Sequence, residues 1–383
     1  MITRQRIVSF GIPTLATTTI IAAALLTTGG KKLTTPEREE MKPIESIPSF
    51  SGVDGHQIDV VFAVDTTGSM GGLLDGAKQT VWSIASHIKQ VDPDASIRIG
   101  LVAYKDVGDE YITKPFKLTT DLDAMYAELM SYTAAGGGDT PENVDAALND
   151  ALHTMQWRSG AKKMVFVVGD APPASRGDVP TYDVLARQAA ESGITINTIR
   201  CGLDTNTQLT FSRIAEIGGG EFSTIQQDGG VQKVATPYDD RINTIQAEID
   251  GTNVIYGDDG VRARYEAKMA SGAAAAPAAK ADRAAYYTKG GYKAADDLVG
   301  GYAEGSVALD SVDSSALPAD MRGKDKGEIK AELESRVAKR KVLTQQAQEL
   351  SKQRDEYLKN NAAGGEGGFD TKVKATVERQ LKK

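Results

Sequence analysis

Apolar and polar positions alternate between two periods from residue 58 to residue 250. Ile58–Val64 is a continuous apolar run, as expected of a parallel strand buried on both faces. Leu74, Ala77, Val81, Ile84 and Ile88 follow at steps of three and four, the stripe of one helical face. Ile97–Tyr104 and Tyr111–Leu118 read as strands. The short polar segment between them, KDVGDE, suits a hairpin, so one strand of the sheet is expected to be antiparallel. Val144, Ala147, Leu148, Ala151, Leu152 and Met155 mark a second helix, opened by Pro141, and Met164–Val168 another buried strand. The spacing then predicts a helix over Thr181–Ser192, a strand over Ile194–Ile199, a helix over Gln208–Ile217 and a short strand over Glu221–Ile225. Thr236 and Pro237 open a last helix as N-cap and first-turn proline, with Ile242, Ile245 and Ile249 on its inner face. Strands alternating with helices predict an α/β fold, a doubly wound and mostly parallel sheet flanked by helices.

The pattern changes on either side. Arg4 and Arg6 precede an apolar stretch, Ile7–Leu26, followed by small residues and then Lys31 and Lys32. Residues 1–30 read as a signal peptide or N-terminal membrane anchor, since about 20 apolar residues span a bilayer. The positive flank predicts export, with the protein periplasmic or anchored to the cytoplasmic membrane and facing outward. Residues 31–54 are a charged, proline-broken linker and residues 55–250 the α/β domain. Residues 251–322 read as an Ala/Gly-rich linker region, too poor in bulky apolar residues to bury a core alone, with Tyr286, Tyr287 and Tyr292 as docking points on the domain. Residues 323–383 read as a helical, partly coiled-coil extension. Leu343, Ala347, Leu350 and Tyr357 follow a partial heptad that Arg354 interrupts, which leaves a dimer contact and a single long helix packing on a partner or on its own domain equally open. Phe369–Leu381 reads as a short basic amphipathic tail, a solvated helix end.

Composition removes several classes of function. A net charge of −8 gives no basic surface for nucleic acid. The single cysteine, Cys201, rules out an internal disulfide, a thiolate zinc site or a redox pair, and reads as buried filler. Three histidines, His56, His87 and His153, lie on separate segments and suggest neither a metal cluster nor a triad.

What remains is oxygen chemistry. The first strand ends in VDTTGS, so Asp65, Thr67 and Ser69 fall at the carboxyl edge of the sheet, where ligands of open α/β folds bind. GGGDT (residues 136–140) and VVGDAPP (residues 167–173) reach the same edge with Thr140 and Asp170. Carboxylates and hydroxyls without thiol or imidazole select Mg²⁺, with Mn²⁺ or Ca²⁺ as alternatives. A plain structural account of VDTTGS is a helix N-cap. The acids of KDVGDEY (Asp106, Asp109, Glu110) read as a solvated hairpin loop in preference to a lining of the same edge.

The D-x-T-x-S motif after an apolar strand, a distant threonine before a helix, and an aspartate ending a later strand resemble a von Willebrand factor A domain with its metal-ion-dependent adhesion site. Together with the leader, the GGGDTPENVDAAL and GDAPP wording and the tail, they resemble exported bacterial members. The resemblance covers about residues 55–250. It implies that Thr67 and Ser69 bind the ion through hydroxyls and that Thr140 does so directly or through water. Asp65 and Asp170 would act mostly through water and by orienting the hydroxyls. It also implies coupling between the metal edge and the last helix, Thr236–Ile249. Thr67 stands where serine is commoner, and Ala171 where glycine is common.

Three enzymatic readings fail. The extra threonine spoils the D-T-G-S turn of an aspartic protease and no second such motif exists. An aspartate-nucleophile phosphatase wants an acid where Thr67 stands. A P-loop needs G-K-[ST], which is absent. A non-enzymatic role is therefore expected: divalent-metal-dependent capture of a carboxylate on a protein partner at the cell envelope. Nucleic acid is not expected as a partner, and membrane contact is expected only through the N-terminal segment. The alternative is an envelope scaffolding protein in which the metal only stabilises the fold and the C-terminal helix makes the contacts.

Overall fold

The computed structural model describes residue 44 and residues 46–47, 56–138, 140–174, 176, 178–231, 234–290, 296–361 and 367–382. The expected leader (1–30) and nearly all of the linker (31–54) lie outside the described residues, as does Tyr292.

Six strands form the main sheet: β1 (Gln57–Asp65), β2 (Ser96–Tyr104), β3 (Thr113–Thr119), β4 (Lys162–Gly169), β5 (Ile194–Cys201) and β6 (Gly219–Ile225). Their spatial order is β3-β2-β1-β4-β5-β6, parallel except for β3, which returns from β2 as an antiparallel hairpin. β1 therefore lies inside the sheet, with Asp65 opposite Tyr104 and Val64 opposite Val168. Its apolar run is buried on both faces because successive side chains alternate. Ile58, Val60, Phe62 and Val64 face α1 (Gly71–Val91) and α2 (Leu122–Ser131). Val61 and Ala63 face α3 (Val144–His153) and α4 (Tyr182–Glu191), and α5 (Thr205–Ile217) completes that layer.

The helix α2 is missing from the sequence reading, although Leu122, Met125, Tyr126 and Leu129 carry a buried stripe. Its N-cap is Asp121, whose carboxylate accepts the Ala124 amide at 3.0 Å. Two helix starts also move inward. The α3 helix begins at Val144, capped by Asn143 at 3.0 Å, so Pro141 stays in the loop. The helix α6 (Asp239–Asp250) begins three residues after Thr236, which is tied back to Asp239 by its amide and hydroxyl.

The C-terminal third differs most from expectation. Residues 251–322 are not a linker. They form α7 (Asp259–Ala273), α8 (Pro277–Thr288) and α9 (Leu298–Ala303), and all described residues from 56 onward belong to one compact unit. Small side chains make this possible, because Ala279, Ala281, Ala284 and Ala285 are buried and let α8 lie close to α1 and α6. Tyr286 is buried in the main core, and Tyr287 donates to Asp123 at 2.8 Å. Arg283 of α8 is held by Asp123 of α2 at 2.7 Å and by Asp250 of α6 at 2.8 Å.

The long helix α10 (Lys326–Asn360) uses its apolar positions within the molecule. Leu343 and Ala347 meet Ile245 of α6, in the position a partner chain would have taken. Arg354, which breaks the heptad, is buried and pairs with Asp239 and Asp282 at 2.7 Å each. The tail helix α11 (Phe369–Leu381) is not a solvated end either. Phe369, Val373 and Val377 enter the main core, and the Phe369 ring lies 5.9 Å from that of Phe62. Thus α6 rests on α8 and α10, while the last helix of the chain packs along α1 and the edge strand β6.

Candidate metal centre

The sheet delivers Asp65 to its carboxyl edge completely buried. Asp65 Oδ1 accepts the Thr67 amide at 2.8 Å and the Thr67 hydroxyl at 2.7 Å, and Thr67 Oγ1 lies 3.4 Å from Ser69 Oγ. The Thr67 hydroxyl is thus spent on Asp65 and not on capping: neither the short 3₁₀ turn Gly68–Met70 nor α1 has a side-chain cap. The N-cap account of this loop fails on that geometry.

A second loop is stitched to the first. The Gly68 amide donates to the Gly136 carbonyl at 3.1 Å, and the Ala135 amide to that of Thr66 at 3.1 Å. Gly136 and Gly137 have φ of 81° and 78°, which favours glycine. A Cβ at Gly136 would stand 2.2 Å from Asp109 Oδ1, and one at Gly137 2.9 Å from Thr67 Cβ, so only glycine permits this approach. Thr140 is exposed at the same edge. Among the described residues it makes no direct hydrogen bond with the other four predicted site residues.

Asp170, half-buried, ends the β4 side. Its Oδ2 accepts from Gln227 Nε2 at 2.6 Å, and the same nitrogen reaches the Ser69 carbonyl at 3.3 Å, so Gln227 ties the first and third loops together. Thr207 Oγ1 donates to the Asp170 carbonyl at 3.0 Å, fixing the backbone there. Ala171, next in the chain, is accommodated buried.

Four more residues belong to this centre: Glu142 and Gln227 escape the sequence reading, and Asp106 and Asp109 are there preferred as a solvated loop. Glu142 is 4% exposed and lies beside Thr67, since a Cβ on Gly137 would meet Glu142 Oε1 at 3.3 Å. Asp106 is buried and pairs with Arg176. Asp109 accepts the Gly137 amide at 3.1 Å, joining the hairpin to the glycine loop. The hairpin acids are therefore part of the edge and not a solvated loop, with only Glu110 among them well exposed. Gln227 is the fourth. The spacing of Glu142, two residues after Thr140, was the only available signal.

The electrostatics fit a cation. Asp65 Oδ2, Glu142 Oε2 and Asp106 Oδ1 are buried and lack hydrogen-bond partners. Burial, reinforced by Asp170 and Asp109, pushes Asp65 up to about 7 against the bonds from Thr67. Burial and the neighbouring Asp65, Asp106, Asp109 and Asp170 push Glu142 up to about 8. Unpaired buried carboxylate oxygens are unfavourable unless something positive meets them. Among the described residues, no three His, Cys, Asp or Glu side chains converge tightly enough to hold an ion by themselves. The hydroxyls of Thr67 and Ser69, with water, must complete any such set.

Residues 59–236 match the family model of the von Willebrand factor type A domain. An ariadne-like RING finger protein of Acanthamoeba polyphaga mimivirus is 30% identical over 116 residues, covering 30% of this chain and 11% of that protein. The von Willebrand factor A domain-containing protein 7 of Rattus norvegicus is 35% identical over 113 residues, 29% of this chain and 12% of that protein. The chain thus spans little more than a tenth of the length of these relatives. Among solved structures, proximal thread matrix protein 1 of the mussel byssus, with a zinc-occupied MIDAS motif, aligns with a TM-score of 0.38 at 17% identity, over 45% of this chain and 42% of that one.

Proposed function

Residues 59–236 are a von Willebrand factor type A domain, and from that premise we propose that the protein binds a protein partner through a divalent cation held at the sheet edge. The observation that carries this reading is Asp65: a fully buried carboxylate with one oxygen orienting the Thr67 hydroxyl and the other unpartnered. Thr67 and Ser69 would hold the ion through their hydroxyls. Thr140 would join them directly or through water, and Asp65 and Asp170 would act mainly by orientation and through water. Mg²⁺ suits this oxygen-only set, with Mn²⁺ or Ca²⁺ as alternatives. When bound, the ion supplies an electrophilic centre at which a partner's carboxylate replaces a water. The chain's own part is to keep the hydroxyls aimed, through Asp65, and the loops closed, through Gln227 and Asp109. No catalytic step is assigned to these residues.

The scaffolding alternative, with contacts made by the C-terminal helix, is less favoured, because Leu343 and Ala347 of α10 and Phe369, Val373 and Val377 of α11 pack inside the molecule. The export reading of residues 1–30 belongs to the same proposal and locates the domain outside the cytoplasmic membrane. Among the described residues no helix is long and apolar enough to cross a membrane.

Calorimetry on the purified protein tests the centre. One Mg²⁺ or Mn²⁺ site is expected in the wild type and none in Asp65→Ala. Equal binding by both removes the assignment. Protease added to spheroplasts is expected to digest the domain, and protection would contradict export.

A further inference from the structure

The metal edge carries more than its polar centre. Among the described residues five large apolar side chains stand well exposed, and four of them, Val107, Ile112, Leu203 and Leu209, belong to loops and early helical turns at this edge. Leu203 is 87% exposed and Leu209 64%, both at the β5–α5 junction, while Val107, at 50%, tips the β2–β3 hairpin. Exposed apolar residues scattered singly need no explanation. These four are not scattered: they gather at the ends of β2 and β5, on either side of the candidate metal centre.

Their placement follows from the strand order. Val107 follows β2, Asp65 ends β1, Asp170 follows β4 and Leu203 follows β5. At roughly 4.8 Å per strand, the two apolar flanks stand about 14 Å apart with the centre between them. The polar part of the rim is acidic. Glu110, Asp204 and Asp228 are exposed. The neighbouring cations are engaged: Lys105 is buried, lies over the Tyr111 ring and comes within 4.0 Å of Glu110, Arg176 pairs with Asp106, and Arg200 is buried and bonds the Asp204 carbonyl and Gln208. Carboxylates outnumber cations at this edge even with a divalent ion seated.

A lone acidic side chain approaching the ion would meet this rim as a like charge. We propose that the partner presents its carboxylate from a basic surface, with Lys or Arg neighbours facing Glu110, Asp204 and Asp228 and apolar side chains reaching Leu203 and Val107. Charge complementarity selects such a partner and speeds its encounter, and the apolar flanks supply the area that slows its release. This rests on the metal-dependent reading above and adds the chemistry of the partner's surface.

The probe is a phage library of disulfide-looped peptides with one fixed central Glu, selected on the full-length protein in Mg²⁺ and released with EDTA. The recovered peptides are expected to be enriched in Lys or Arg and in apolar residues. A synthetic peptide of that sequence should bind at least tenfold more weakly to Leu203→Ser and to Val107→Ser, and less well to Glu110→Lys. Leu203→Ser and Val107→Ser are neutral changes at exposed positions and should leave calorimetric Mg²⁺ binding intact. Raised salt should weaken the peptide. Peptides without basic residues, wild-type affinity in both Leu203→Ser and Val107→Ser, or no Mg²⁺-dependent peptide although the ion binds, would each overturn the proposal while leaving the metal centre standing. A wild type that binds no ion would overturn both.

Discussion

On the proposed metal-binding reading, Asp65 and Glu142 make the ion's affinity a function of pH. Burial favours their neutral forms, up to about 7 and about 8, whereas holding a cation requires the carboxylates. An incoming ion must therefore displace protons, and affinity should fall as pH drops from about 8 to about 6. Calorimetry in two buffers of different ionisation enthalpy should show proton release near pH 7, and Glu142→Gln should reduce it and weaken the ion. A pH-independent affinity across that range would separate these carboxylates from the site. A second residue-scale test concerns Arg283, which is buried between two aspartates. Asp123→Ala leaves a buried guanidinium with one partner fewer and should destabilise the protein by about 3–5 kcal/mol in denaturant titration. These residues were unevenly legible. Asp65, Thr67, Ser69 and Asp170 lie at strand ends, so periodicity alone brings them to one edge. Glu142, Asp106, Asp109 and Gln227 lie in loops whose paths depend on contacts with other loops.

Among the elements, α11 carries the clearest consequence. Phe369→Ala removes a ring packed in the main core and should lower stability by about 3–5 kcal/mol, although the residue lies some 130 positions beyond the family match. His87 of α1 faces Glu378 of α11 at 3.5 Å, and desolvation, with Lys374 second, holds its pKa below the usual histidine value. A histidine depressed in the folded state binds its proton more readily when unfolded. Its stabilisation is therefore present above about 6.5 and is lost as pH falls below that value. Thermal melts from pH 7.5 to 5.5 should show a shallower decline in His87→Gln than in the wild type. The family resemblance implies that α6 is coupled to the metal edge, and its packing says what holds it at rest. Ile242 meets Ala281 and Ala284, and Ile245 meets Leu343 and Ala347, so Ile245→Ala should loosen the extension by about 2–5 kcal/mol and leave the ion's affinity unchanged. Coupling predicts that the same substitution raises partner affinity, and unchanged partner and ion affinity would make the helix only structural.

At the scale of the whole molecule, the domain and its extension share a core. Phe62, Trp82 and Tyr126 on the domain side pack in one cluster with Ala279, Tyr286, Phe369, Val373 and Val377 of the extension. One cooperative unfolding transition is expected for the full chain, followed by circular dichroism. A fragment of residues 56–250 exposes one face of its core and should melt far lower or aggregate. A stable fragment with the full chain's melting temperature would show the extension to be a separate appendage.

The sequence by itself determined the α/β alternation, the hairpin that makes one strand antiparallel, and the edge at which the oxygen ligands gather. Each follows from side-chain period and strand direction, which are local properties. Only the tertiary structure decided the fate of residues 251–383. An alanine-rich segment looks unable to bury a core because it cannot do so alone, yet Ala279 and Ala284 pack tightly once α1 and α6 supply the bulk. Arg354 reads as a break in a heptad until Asp239 and Asp282 stand beside it. Pairings across more than a hundred residues leave no periodic trace, and they decide which apolar stripe meets this molecule's own core and which is left for a partner.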